Sequence, residues 1–361
     1  MTWRHLGTPV LVLWAWLSVG QGPPPFGAEG PSGGRVTLQN PSLPLSQVLA
    51  ELTRQTGIAV ADRRQNREKD PRLNLDLNRA TFWQALDAVA RQANLRLSLY
   101  EKDGHLALRE GPYLVCPLSS QGPFRVAVKR LDLIRDWETA GHFGTAHLEI
   151  AWEPTLQPLF FQTRPDALVV QGAPGQVLKV VDSSSGLESV AGRSAVEVPV
   201  RLEAPPRTTP GLTLLQGSFS LVGPTTMLTF TLDDLAAVKG GQPNLQKTQE
   251  GVTLKVRGLS TGPDGWIVSL VLTYPAEGPE FESFESWLAN NEISLEKKGT
   301  RQRVSTTQYE IEEQVDHRAA ITYYFNQSDL GRPGDWKLVY RTPGAIVRVP
   351  VRFEFKDLPL P

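Results

Sequence analysis

His142, His147 and Glu149 are the one grouping in this chain whose types and spacing suit a metal ion. Residues two apart on a strand share a face, so His147 and Glu149 would point the same way. His142 could return from a loop at 141–144 to complete a facial set. Metal ligands are normally held by outer partners, and none can be picked out here. The favoured reading is therefore a polar strand face beside a loop, with no metal and no cofactor. Asp233-Asp234 sits at a strand end, where acids more often build a turn than an acid/base dyad. His105 and His317 read as solvated strand or turn positions, and Ser183-Ser184-Ser185-Gly186 as a loop. Glu282, Glu285 and Trp287 place acids beside an aromatic on an irregular stretch, but they do not converge on a recognisable site. Phosphate-cradling glycine loops and the His-Glu-x-x-His zinc helix are missing from the sequence. No catalytic residue is assigned, although triads are recognised by geometry and not by order.

The elements that would position any site begin with a pattern written twice. Shifted by 37 positions, Val36 falls on Leu73, Leu38 on Leu75, Leu45 on Phe82, Leu49 on Leu86 and Leu52 on Val89. Gln47 then falls on Gln84, Arg54 on Arg91, Gln55 on Gln92, Gly57 on Asn94, Ile58 on Leu95 and Val60 on Leu97. Each copy reads as strand, short helix, strand. In the first, Leu45, Val48, Leu49 and Leu52 recur at helical spacing behind Pro44, and Gly57 can end the helix in the left-handed conformation. In the second, Thr81 and Gln84 form a capping box, Phe82, Leu86, Val89 and Ala93 make the apolar stripe, and Asn94 ends it. Trp83 lies on the shoulder of that stripe, about 100° from Phe82. Packing against the segment 61–72 is its favoured role, and contact with a partner protein is the alternative. Leu95-Arg96-Leu97-Ser98-Leu99 alternates with period two, and Lys102-Asp103-Gly104 turns the chain into His105–Leu108.

Two such units in about 75 residues resemble the short N-terminal domain of secretins and TonB-dependent receptors. The resemblance covers Arg35 to Arg109 and rests on Val36-Thr37-Leu38, Leu45-Ser46-Gln47-Val48-Leu49, Gln55-Thr56-Gly57-Ile58, Phe82-Trp83-Gln84-Ala85-Leu86 and Leu95-Arg96-Leu97. It implies two helices over one face of a small sheet, in a periplasmic module that contacts other envelope proteins and does not catalyse. The segment from Ala61 to Arg72 departs from the family, being longer and more charged than expected there.

After Tyr113 the pattern changes to short strands separated by Gly and Pro turns, which argues for antiparallel β-sandwiches. The expected organisation is a signal peptide at 1–22, a Gly/Pro linker at 23–34, an α+β domain at 35–111, a β-sandwich at 112–238 and a second, immunoglobulin-like sandwich at 239–361. One long all-β domain is the alternative to the last two. The final strand alternates Val347, Val349, Val351, Phe353 and Phe355 against polar residues.

Arg4 and His5 precede an apolar run, Val10 to Val19, that is too short to cross a bilayer and reads as a cleavable secretory signal. The 361 residues carry 37 Lys plus Arg against 38 Asp plus Glu, so nucleic acid is not expected as a partner. The lone cysteine, Cys116, excludes an internal disulfide. The expectation is an exported, periplasmic or extracellular protein without a stable membrane span. It is expected to bind another envelope protein through the 35–111 domain, with the β-sandwiches as scaffold or ligand surface; envelope polysaccharide binding or hydrolysis at sandwich loops is the alternative.

Overall fold

The repeat at 35–109 folds around one core in which its equivalent positions are buried in both copies. Val36 and Leu73, Leu45 and Phe82, Leu49 and Leu86, and Leu52 and Val89 all belong to it. The computed structural model describes residues 35–361 except 102–104, 139–140, 173–175, 182–185, 207, 225, 239–244, 277–286 and 345. The expected signal and linker, the 102–104 turn, Ser183 to Ser185, Glu282 and Glu285 lie outside those residues.

β1 (Val36–Pro44) leads directly into α1 (Leu45–Thr56), followed by β2 (Val60–Asp62), β3 (Arg72–Ala80), α2 (Phe82–Ala93), β4 (Arg96–Ser98) and β5 (Leu106–Arg109). The equivalent strands β1 and β3 pair with each other, while β2 and β4 flank β5, parallel and antiparallel respectively. The small sheet implied by the resemblance is thus two sheets. α2 starts with the capping box: Gln84 N–H donates to Thr81 Oγ1 at 3.2 Å, and Thr81 N–H donates to Gln84 Oε1 at 3.0 Å. Gly57 (φ 73°) and Asn94 (φ 51°) end the helices in the left-handed conformation. Asp70 supplies what α1 lacks at its start, accepting from the Ser46 N–H at 3.1 Å and the Ser46 hydroxyl at 2.5 Å. The charged segment 61–72 is therefore a cap and not a spacer. Within it Arg64 closes on Asp62 at 2.7 Å and on the Lys69 carbonyl at 2.6 Å.

Next come β6 (Leu118–Gln121), β7 (Phe124–Arg135), β8 (His142–Trp152), β9 (Phe160–Gln162), β10 (Ala167–Gln171), β11 (Val177–Leu178), β12 (Leu187–Ser189), β13 (Ala195–Glu203) and β14 (Gly211–Pro224). β13, β8, β7 and β6 form one antiparallel sheet in that order, and β9 to β12 assemble with β14 in another. The two sheets share a core that includes Leu148, Ile150, Trp152, Phe161 and Phe219.

A second pair of sheets follows. β15 (Met227–Leu232), β16 (Gln246–Gln249), β17 (Val252–Gly262), β18 (Gly265–Thr273), β19 (Glu292–Lys297), β20 (Arg303–Thr306), β21 (Tyr309–Val315), β22 (Arg318–Phe325) and β23 (Trp336–Pro343) build it. The sheets run β15-β23-β19-β20 and β16-β17-β18-β22-β21 around their own core.

β24 (Ile346–Pro359) does not join that second pair, which corrects the expected 239–361 unit. It runs antiparallel to β14 from Pro224↔Ile346 to Gly211↔Pro359. Its apolar face, Val349, Val351, Phe353 and Phe355, fills the first core. The physical reason is local as well as distant. Gly344 N–H donates to Thr226 O at 2.9 Å, so the second unit leaves and re-enters the first at one point. Gly217 permits the close pairing, since a Cβ there would stand 2.6 Å from Ala167 O and 2.9 Å from the Phe353 ring. The second unit is an insertion into the first.

Candidate functional site

Only one face of the β13-β8-β7-β6 sheet covers the first core. On the other face Ala151 and Ala195 complete the core of the N-terminal unit, so the two units share a seam. Alternation along β7 and β8 places Arg125, Glu149 and Ala151 on this second face. Arg125 donates to Asp87 on α2 through Nε at 2.9 Å and Nη2 at 3.1 Å, and through Nη1 to Glu149 at 3.3 Å. Lys129 reaches the other Glu149 oxygen at 3.3 Å, and the Tyr113 hydroxyl donates to Asp87 at 3.1 Å. Both acids and Arg125 are buried, with Lys129 at the rim. Burial opposes the Arg125 charge, but the neighbouring Asp87 carboxylate more than offsets it, and the guanidinium is held charged. This arrangement positions two units against each other. With both carboxylates of the cluster, Asp87 and Glu149, occupied, it offers no free base.

Trp83 completes the seam. It is 0 % exposed, packs edge-on against Phe82 at 5.2 Å, and donates its indole N–H to the Pro123 carbonyl at 2.9 Å. The shoulder position is therefore a contact within the chain, bonded at the edge of the sheet, and Trp83 offers no surface to a separate partner. Asp87 was legible as a signal of this. It lies four residues after Trp83 on the same helical face, and a carboxylate in a buried arc calls for a buried cation.

The candidate metal set does not come together. Residues 142–144 of the supposed loop are the start of β8, so His142 lies an odd number of residues from His147 and points to the opposite face. His147 is within 2.9 Å of Asp132 and of Arg130, while Glu149 is held by Arg125 and Lys129. Among the described residues no three His, Cys, Asp or Glu side chains could hold a metal ion. Asp233 and Asp234 are exposed and lead into a short 3-10 turn at Leu235–Ala237. His317 occupies a left-handed turn position (φ 59°), and Trp287 begins a second 3-10 turn. Cys116 is half-buried in a cleft of about 30 Å³ beside Arg125 and Tyr113, and burial pushes its thiol up, away from reactivity.

The far end of the β7–β8 ribbon carries a feature the sequence did not single out. Ten residues on from Arg125, a rise of roughly 33 Å, Leu133, Ile134 and Trp137 are exposed, Trp137 at 78 % with Arg135 over its ring at 4.2 Å. Val180 and Val181 are exposed along the neighbouring edge of β13, and Val177 on β11. An open groove of about 370 Å³ lies there, lined by Leu133, Ile134, Arg135 and His142 on one side and Pro205 and Leu360 on the other. The chain matches no known family model, no curated protein and no solved structure. No helix among the described residues is long and apolar enough to cross a membrane.

Proposed function

We propose that this protein is a non-enzymatic, exported envelope protein that acts by binding another envelope protein. Its N-terminal unit is similar to the short N-terminal domain of secretins, and its β-sandwiches present the ligand surface. The observation that carries the reading is the apolar end of the β7–β8 ribbon. Exposed Leu133 and Ile134 line an open groove, with exposed Trp137 just beyond it, a grouping that marks contact surfaces on soluble domains. The N-terminal unit supports it as a rigid base, because Asp87, Arg125 and Trp83 lock it to the same two strands. Within this reading the N-terminal unit orients the sandwich, and the groove makes the contact.

Crosslinked envelope extract provides the test. The mature chain should capture a defined protein, and Trp137→Ser with Ile134→Ser should reduce capture at least tenfold without changing the melting midpoint. Undiminished capture by the double variant would remove the groove from the reading. Turnover or retention of envelope polysaccharide by the purified protein would replace it with the carbohydrate alternative. Export is checked separately, by a mature N-terminus between about Ser18 and Gly30 in mass spectra of the cell-derived protein.

A further inference from the structure

Glu153 follows Trp152 and carries the β7–β8 pairing one residue further. Its N–H donates at 3.0 Å to Pro123 O, the same carbonyl that accepts the Trp83 indole N–H. On this register its side chain emerges on the face of Ala151 and Glu149, which carries the N-terminal unit. It is 1 % exposed, and its Oε1 has no hydrogen-bond partner. The charged groups packed around the seam are committed elsewhere. Asp87 on α2 is bonded to Arg125 and Tyr113, Glu149 on β8 to Arg125 and Lys129 of β7, and Arg193, before β13, to Glu188. Burial alone therefore acts on the Glu153 carboxyl, pushing it up to about 7.

We propose that Glu153 is a proton-operated latch on the seam between the N-terminal unit and the β13-β8-β7-β6 sheet. Protonated, the carboxyl stays dry beside the Trp83–Pro123 bond and the unit is seated. Ionised and without a partner, it draws water into the seam and loosens α2 from the sheet. The sign follows from linkage. A carboxyl that binds its proton more tightly when seated favours seating fully below its ordinary value of 4.5, and that contribution is lost as the pH rises through about 7. The latch is independent of what the groove binds, and it would make the geometry presented there depend on the pH of the compartment.

Hydrogen exchange of the full mature chain, corrected for intrinsic rates, tests this between pH 5.5 and 8.5. The opening constant read at the α2 amides and the Trp83 indole N–H should rise about 30-fold across that interval. Amides of β17, β18 and β22 should not follow. Glu153→Gln keeps the side-chain shape without the charge, and its seam should open to the same extent at both pH values. Glu153→Met is measured beside it, so that the comparison stands if the amide cannot be accommodated. A wild-type seam indifferent to pH, equal rises in wild type and variants, or a rise shared with the second pair of sheets would each overturn the proposal.

Discussion

Arg125 and Asp87 meet across the seam through two parallel bonds of 2.9 and 3.1 Å, tying strand β7 to helix α2. A fork of this kind fixes direction as well as distance, because the planar guanidinium must lie in the plane of the carboxylate. Removing the cation leaves Asp87 and Glu149 buried together without it. Arg125→Met is therefore expected to cost about 3–5 kcal/mol in denaturant unfolding at neutral pH. Adding Asp87→Leu should return part of that loss, because one of the two stranded carboxylates goes with it. A double variant no more stable than Arg125→Met would mean that packing of the arginine stem, and not its charge, is what the seam uses.

The insertion of the second unit makes a prediction of its own. Thr226 and Gly344 are bonded at 2.9 Å, and Pro224 pairs with Ile346. Replacing 226–344 by a two-residue hairpin turn should leave a chain that still unfolds cooperatively. It should be less stable than the parent, because Leu159, Phe160 and Val222 of the first unit are buried against the insert. Truncation before Ile346 should behave differently. It withdraws Val349, Val351, Phe353, Phe355 and Leu358 from the first core, and circular dichroism should show loss of strand structure.

The parts of the fold legible in the sequence are those set by near neighbours. Gln55 and Gln92, one repeat apart, do the same work: each donates its side-chain amide to the first strand of its own copy, at Thr37 O (2.9 Å) and Asn74 O (2.8 Å). The helices, their left-handed ends and the capping box follow from equally local rules. β24 could not be assigned this way. Its alternation shows that one face is buried, but not against which strand, and its partner β14 lies more than a hundred residues earlier. The site was legible only in part. The shared face of His147 and Glu149 followed from period two, whereas the arginine and lysine that occupy Glu149 come from another strand, one of them at a β-bulge between Val128 and Arg130.

Tyr340 lies at the centre of a buried polar network in the second unit. Its hydroxyl accepts from Asn291 Nδ2 at 2.9 Å and stands 3.0 Å from the Tyr323 hydroxyl. Asn291 Oδ1 in turn accepts from Thr342, which lies 2.7 Å from the Tyr274 hydroxyl. Burial pushes the Tyr340 phenol well above its ordinary range. Tyr340→Phe keeps the ring and strands a half-buried amide, so it should cost about 1 kcal/mol. The double variant with Asn291→Leu should cost less than the sum of the two single changes, because the orphaned donor disappears with its partner.

Leu86 tests whether the repeat's stripe is a core. It is 0 % exposed on α2, in the same cluster as its repeat equivalent Leu49 on α1, and that cluster extends through Ala151 into the sheet beneath. Leu86→Ala should open a cavity costing about 2–5 kcal/mol. Because the cavity borders the seam, the change should appear as a lower melting midpoint for the N-terminal unit together with earlier solvent exposure of Trp83, read from its fluorescence. Leu49→Ala, on a residue 7 % exposed, should cost less, since water already reaches part of that side chain. If the two substitutions cost the same, or if Leu86→Ala left the midpoint untouched, α2 would not be the more deeply anchored of the two helices.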